Sequence, residues 1–132
     1  MKARDLMRRR VVSVAPGTTL KEAARLLDSH HISGMPVVTS KGDLVGIISR
    51  TDILSHDSRG EPGTIVADAM TPWVVSLEED TPCEELARQM VRKHIHRIVV
   101  TRGGRLCGIV TSLDLLRGFM GRAGGVGASI SA

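Results

Sequence analysis

Two four-residue patterns carry side chains that could hold a ligand: Ser49-Arg50-Thr51-Asp52 and Thr111-Ser112-Leu113-Asp114. In each, a hydroxyl is followed three residues later by a carboxylate. Each is preceded by a short apolar run that opens on glycine, Gly46-Ile47-Ile48 and Gly108-Ile109-Val110. The pattern reads as a buried strand running straight into a helix start. Its plain chemistry is a capping box: the hydroxyl oxygen accepts from an orphan N–H of the first turn, and the carboxylate reaches back to the cap. The same pair at an exposed corner also suits a ribose phosphate. A carboxylate accepts from two sugar hydroxyls, while the hydroxyl and the free N–H groups of the helix start face phosphate oxygens. Two copies in one frame favour the ligand role, and both roles can hold together.

These corners close two copies of an internal repeat. Asp5-Leu6-Met7 recurs as Asp68-Ala69-Met70, and Val11-Val12-Ser13-Val14 as Val74-Val75-Ser76-Leu77. Thr18, Glu22, Ala24, Arg25 and His31-Ile32 recur as Thr81, Glu85, Ala87, Arg88 and His94-Ile95, a constant shift of 63. Val37-Val38-Thr39 matches Val99-Val100-Thr101, and Gly46 matches Gly108, at a shift of 62. This places the loss of one residue in the second copy between Ile95 and Val99.

Each copy predicts the order β-α-β-β-α. A first strand covers Val11–Val14 or Val74–Leu77. A helix follows over about Thr19–His30 or about Pro82–Lys93, with Leu20, Ala23, Ala24, Leu27 and Cys83, Leu86, Ala87, Met90 at helical spacing. Thr18 and Thr81 are the expected N-caps, and Pro82 suits the first turn. Two strands come next, Met35–Thr39 with Leu44–Ser49 and Arg97–Thr101 with Leu106–Thr111, turned by Lys41-Gly42-Asp43 and Gly103-Gly104-Arg105. A closing helix spans about Thr51–Ser55 or Ser112–Met120. The domain reading is residues 1–56 for the first repeat, 57–67 for a polar linker, 68–120 for the second repeat and 121–132 for a flexible Gly-, Ala- and Ser-rich tail.

Composition agrees with an ordinary globular chain. Of 132 residues 42 % are hydrophobic and 24 % charged. The two cysteines, Cys83 and Cys107, have no metal-ligand spacing, which fits a reducing cytoplasm rather than a disulfide scaffold. No apolar h-region follows Met1-Lys2-Ala3-Arg4-Asp5, so no signal peptide is expected. No apolar run approaches the ~20 residues of a membrane span. The net charge of +4 weakly favours anionic partners.

The repeated β-α-β-β-α unit, closed each time by Gly, two apolar residues and the hydroxyl–carboxylate corner, resembles the cystathionine-β-synthase (CBS) domain. Further matches are Asp68-Ala69-Met70-Thr71-Pro72, Ile32-Ser33-Gly34-Met35-Pro36-Val37-Val38 and Ile95-His96-Arg97-Ile98-Val99-Val100. The resemblance covers about residues 3–120. It implies an α+β (α/β-like) fold of two repeats with pseudo-two-fold symmetry, a CBS-domain pair or Bateman module. Such pairs bind AMP, ADP, ATP or S-adenosylmethionine in clefts shared by the repeats, dimerise, and regulate an attached or separate protein. Carried over, one cleft pairs Ser49 and Asp52 with Thr71, Val75, His96 and Arg97. The other pairs Thr111 and Asp114 with Arg8, Val12, Ser33, Gly34 and Met35. Two positions depart from the family pattern. Arg8-Arg9-Arg10 stands where Met-Thr-Pro is usual, and Gly34-Met35 is read as replacing the His-Arg pair.

Other conspicuous residues have simpler readings. His30-His31 and His94-x-His96 sit where histidine complements a helix C-terminus, and zinc-ligand spacing is lacking. Arg8-Arg9-Arg10 is a short solvated charge run. Trp73 and Phe119 are the only aromatics, too few to stack single-stranded nucleic acid. Cys83, Cys107 and the methionines read as core. No nucleophile has an adjacent base, so no catalytic residues and no catalytic cofactor are expected. The expectation is a cytoplasmic, homodimeric regulatory module that binds an adenosine compound and signals to an effector protein. The alternatives are a ligand-free interaction scaffold and a nucleic-acid-binding regulator.

Overall fold

The structure is a computed structural model that describes residues 1–57, 63–72 and 74–122. Its elements run α1 (Ala3–Leu6), α2 (Leu20–Ser29), β1 (Gly34–Val38), β2 (Leu44–Ser49), α3 (Arg50–Asp57), α4 (Val66–Ala69), β3 (Ser76–Glu78), α5 (Cys83–Lys93), β4 (Arg97–Arg102), β5 (Arg105–Thr111) and α6 (Ser112–Arg122). Trp73, the centre of the linker and residues 123–132 of the expected tail lie outside the described residues. No helix among the described residues is long and apolar enough to cross a membrane.

The chain forms two units. One comprises Val11–Val74 with Gly104–Leu106; the other comprises Met1–Arg10, Val75–Gly103 and the chain from Cys107 on. Each therefore takes a short lead-in helix from sequence that precedes a different copy's strands.

In the first unit β1 and β2 pair antiparallel, with Met35 opposite Ile48 and Pro36 opposite Ile47. Val14 flanks β1 through a parallel bridge to Val37, and Thr71 flanks the outer edge of β2 through a bridge to Ile47. The expected first strand shrinks to that single bridge at Val14. Helix α2 buries Leu20, Ala23 and Leu27 over this sheet, in a core with Met35, Val37, Ile48, Val66 and Ala69. Its N-cap is Thr19, one residue after the expected Thr18. The Thr19 hydroxyl accepts from the N–H of Glu22 at 3.2 Å.

The second unit repeats this plan. Its sheet order is β3-β4-β5, with β3 parallel to β4 and Leu77 opposite Val100. Arg8 occupies the outer edge of β5 through a bridge to Ile109, as Thr71 does on β2. Helix α5 buries Cys83, Leu86 and Met90 against Ile98, Val100, Val110 and Leu115, with Ala3 and Met7 from the lead-in. Pro82 stands at the N-cap of α5 and makes no side-chain cap bond, so the expected Thr81 cap is not formed. A histidine in left-handed backbone follows both α2 and α5: His31 (φ 53°) just past the His30 cap, and His94 (φ 54°) at the cap itself.

The core register corrects the placement of the one-residue gap. Val14 pairs with Val37 and Leu77 with Val100, so the shift of 63 persists through β1 and β4. The difference is absorbed later, in the hairpins. The first hairpin slips register between Val37 and Val38. The second turns on Gly103 (φ 58°) and Gly104 (φ 84°), the two positive φ values of a tight hairpin turn. The matching Val-Val-Thr letters mislead because an apolar run resembles itself when displaced by one. Consequently Ser33-Gly34, not Gly34-Met35, stands where His96-Arg97 stands. The Ser33 carbonyl accepts from Arg50 N–H at 3.0 Å, just as the His96 carbonyl accepts from Ser112 N–H at 2.8 Å.

Candidate functional site

Both hydroxyl–carboxylate corners form as closed capping boxes. Ser49 N–H donates to Asp52 Oδ2 at 3.0 Å, and Asp52 N–H donates to Ser49 Oγ at 3.1 Å. In the other unit Thr111 N–H donates to Asp114 Oδ2 at 2.9 Å, and Asp114 N–H donates to Thr111 Oγ1 at 3.1 Å. Each strand thus ends directly on its helix, α3 or α6, with the carboxylate folded back over the junction. Each box consumes Oδ2 only. The second oxygen, Oδ1, remains as an acceptor at a helix N-terminus, where the free N–H groups favour an anion.

The corners differ in what meets Oδ1. Arg8 Nε lies 3.3 Å from Asp114 Oδ1, with the Arg8 side chain 58 % exposed and that of Asp114 9 % exposed. Asp52 is half-buried, and no described side chain forms an ion pair with it. The cause is the residue on the outer strand edge. Arg8 exchanges backbone bonds with Ile109 at 2.9 and 3.0 Å, and Thr71 does the same with Ile47 at 2.8 and 3.0 Å. These are equivalent positions carrying a cation in one unit and a hydroxyl in the other.

Two glycines let these edge segments approach. A Cβ on Gly46 would lie 2.7 Å from Met70 Sδ and 2.9 Å from the Thr71 carbonyl oxygen. On Gly108 it would lie 2.6 Å from Met7 Sδ and 3.0 Å from the Arg8 carbonyl oxygen. The sequence reads the glycines as strand openers, but the fold places Gly46 inside β2 and Gly108 inside β5, and their role as landing sites for the lead-ins is visible only there.

The remaining expected site residues are distributed as follows. Ser49, Asp52, Thr71, Val12, Ser33, Gly34 and Met35 belong to one unit; Thr111, Asp114, Arg8, Val75, His96 and Arg97 belong to the other. Ser33, His96 and Arg97 are exposed, and Arg97 makes no ion pair among the described residues. Val12 and Val75 pack at the margins of their cores, and Met35 is 1 % exposed inside one. No group of three or more metal-capable side chains occurs among the described residues. Cys83 is buried, and burial followed by the nearby Glu79 carboxylate pushes the Cys107 thiol up, away from a reactive thiolate.

Comparison with known proteins places this arrangement. The CBS domain model matches residues 3–59 and again residues 66–121. The chain belongs to the CBS-domain family, as a tandem pair. Among its relatives is the inosine-5'-monophosphate dehydrogenase of Methanocaldococcus jannaschii, 34 % identical over 117 residues that make up 88 % of this chain. The CBS pair spans only 23 % of that enzyme, and less than two thirds of the other first curated relatives it matches. Two solved CBS pairs share the fold closely. CBSX2 of Arabidopsis thaliana, in complex with AMP, has a TM-score of 0.82 and 28 % identity, covering 92 % of this chain and 98 % of its own. The CBS domain pair of protein MJ0100, in complex with 5'-methylthioadenosine and S-adenosyl-L-methionine, has a TM-score of 0.77 and 30 % identity, covering 92 % and 98 %.

Proposed function

We propose that this CBS pair is a regulatory module that senses an adenosine compound, among AMP, ADP, ATP and S-adenosylmethionine, and passes its ligand state to a partner protein. The observation that carries this reading is the pair of corners that each spend only one carboxylate oxygen on a helix cap, the other meeting no described cation at Asp52 and the Arg8 guanidinium at Asp114. The solved pairs bound to AMP and to S-adenosylmethionine support it. Asp52 and Asp114 are the ribose acceptors in this reading. Arg97 is the cation assigned to ligand phosphate, with several N–H donors suited to it. In this reading the Asp52 corner is the better site for phosphorylated ligands, because His96 and the Arg97 cation are assigned to it. A bound ligand favours the arrangement it fits and so shifts populations between states. The module works in the cytoplasm as a homodimer. Leu54 (67 % exposed) and Leu116 (54 % exposed) recur at the same place on α3 and α6, and a shallow groove of about 220 Å³ beside Leu54 is lined by Ala24, Leu27, Asp28, Arg50 and Ile53.

Calorimetry with AMP and adenosine tests the assignment. A charge-assisted hydrogen bond contributes about 1.5–3 kcal/mol, so Arg97→Ala should weaken AMP by about ten- to a hundredfold. Adenosine should be unaffected by that change. Asp52→Ala should weaken both ligands. If Asp114→Ala abolishes the tight AMP site while Asp52→Ala spares it, the assignment fails. A melting temperature unmoved by every adenosine compound would point instead to a scaffold without ligand.

A further inference from the structure

Arg8 sets the Asp114 corner apart from the Asp52 corner by touching the carboxylate oxygen that the capping box leaves over. Its backbone is fixed on Ile109 by two hydrogen bonds, so only the side chain is free to move. That side chain reaches Asp114 with Nε alone, at 3.3 Å. Neither of its Nη groups has an ion-pair partner among the described residues. The Asp114 side chain is 91 % buried by its own exposure of 9 %, and its other oxygen is held by Thr111 N–H.

Resting on the adenosine-sensing reading above, we propose that Arg8 makes the Asp114 corner selective for phosphorylated nucleosides over neutral ones. The argument is an exchange of partners. A ribose hydroxyl that approaches Asp114 Oδ1 must share or displace the Arg8 guanidinium. A neutral nucleoside offers the released cation nothing, so the carboxylate–guanidinium attraction is lost against the ribose bond. A nucleoside phosphate supplies an anion for the same guanidinium, whose planar fork suits phosphate oxygens. Arg8 then stands as a gate against neutral ligands and a donor to charged ones. At the Asp52 corner the equivalent edge residue is Thr71, which carries no charge, so neutral nucleosides enter without that cost.

The test isolates the Asp114 corner in the full chain by Asp52→Ala and compares AMP with adenosine by calorimetry, with Arg8 intact, Arg8→Thr and Arg8→Lys. Arg8→Thr installs the residue that the other edge already carries at the same backbone position, and circular dichroism checks the fold. Arg8→Thr should weaken AMP by about tenfold through loss of a charge-assisted bond. It should strengthen adenosine by about two- to fivefold, the worth of a half-exposed ion pair. Arg8→Lys should keep part of the preference for AMP. An AMP-to-adenosine affinity ratio that stays within about twofold on Arg8→Thr overturns the gate while leaving the sensing reading in place. If neither AMP nor adenosine binds the corner before or after the change, the ligand reading of that corner falls, and the gate falls with it.

Discussion

Gly108→Ala measures how tightly the Met7–Arg8 segment is pressed onto β5. The new methyl would sit 2.6 Å from Met7 Sδ, 2.8 Å from Met7 Cγ and 3.0 Å from the Arg8 carbonyl oxygen. Carbon–sulfur and carbon–carbon contacts settle near 3.5–4 Å, so each sulfur and carbon contact is short by roughly 1 Å. Met7 is 8 % exposed and helps fill the core, so a new rotamer leaves space behind it. The Arg8 carbonyl cannot retreat freely, because it accepts from Ile109 N–H at 3.0 Å. Overpacking of this kind costs about 1–3 kcal/mol. The gain from replacing glycine by alanine in extended backbone returns about 0.5–1 kcal/mol. The net expectation is a loss of about 1–2 kcal/mol, or about 4–8 °C in Tm for a chain of this size. Urea unfolding followed by circular dichroism reads the change. Gly17→Ala is the control, since a Cβ there meets nothing within 4 Å. Trimming Met7 to alanine opens the space the methyl needs, so the Met7→Ala/Gly108→Ala pair should be less destabilised than the sum of its parts by about 1 kcal/mol. Gly108→Ala as benign as Gly17→Ala, or strictly additive with Met7→Ala, would refute the close approach.

Three further outcomes are expected. His94 closes α5 in left-handed backbone that costs an L-residue about 1–2 kcal/mol, so His94→Gly, after the extra backbone entropy of glycine, should raise stability by about 0.5–1 kcal/mol in urea titration; a loss would show that the imidazole makes a contact worth more than the strain. Hydrogen bonds from the Thr101 hydroxyl and then from Gly103 N–H hold the Glu78 carboxyl below its ordinary value of 4.5, so the native state favours the carboxylate. That stabilisation is complete above the ordinary value and is lost as pH falls through the lowered one, so the urea midpoints of the wild type and Glu78→Gln should converge only below 4.5; parallel pH profiles would exclude this role for the carboxylate. Leu54→Asp and Leu116→Asp place charges on exposed apolar helix positions, and either should convert the proposed dimer to monomer in light scattering at micromolar protein, while an unchanged mass would put the dimer contact elsewhere.

The amino-acid sequence by itself determined what depends on neighbours within a few residues. A short apolar run between turn residues and a helix start marked β2 to the residue, and helical apolar spacing marked the long helices to within a few, because burial is written in local pattern. The spacing of Ser49 with Asp52 and of Thr111 with Asp114 was enough to specify two capping boxes, since three residues is the reach of one helical turn. The repeat itself was visible as repeated letters. What the tertiary structure decided is everything that joins distant segments. The helices α1 and α4 are four residues long, too short to show periodicity or to nucleate alone, and exist through packing on the opposite copy's core. The site of the missing residue was decided by which valines face the core, a distinction the letters Val-Val do not carry. Arg8 read as one member of a solvated charge run. The family resemblance alone set it beside Asp114; the fold adds the landing of its backbone on Ile109, 101 positions away by number, and the contact of Nε with Asp114 Oδ1 that distinguishes the two corners.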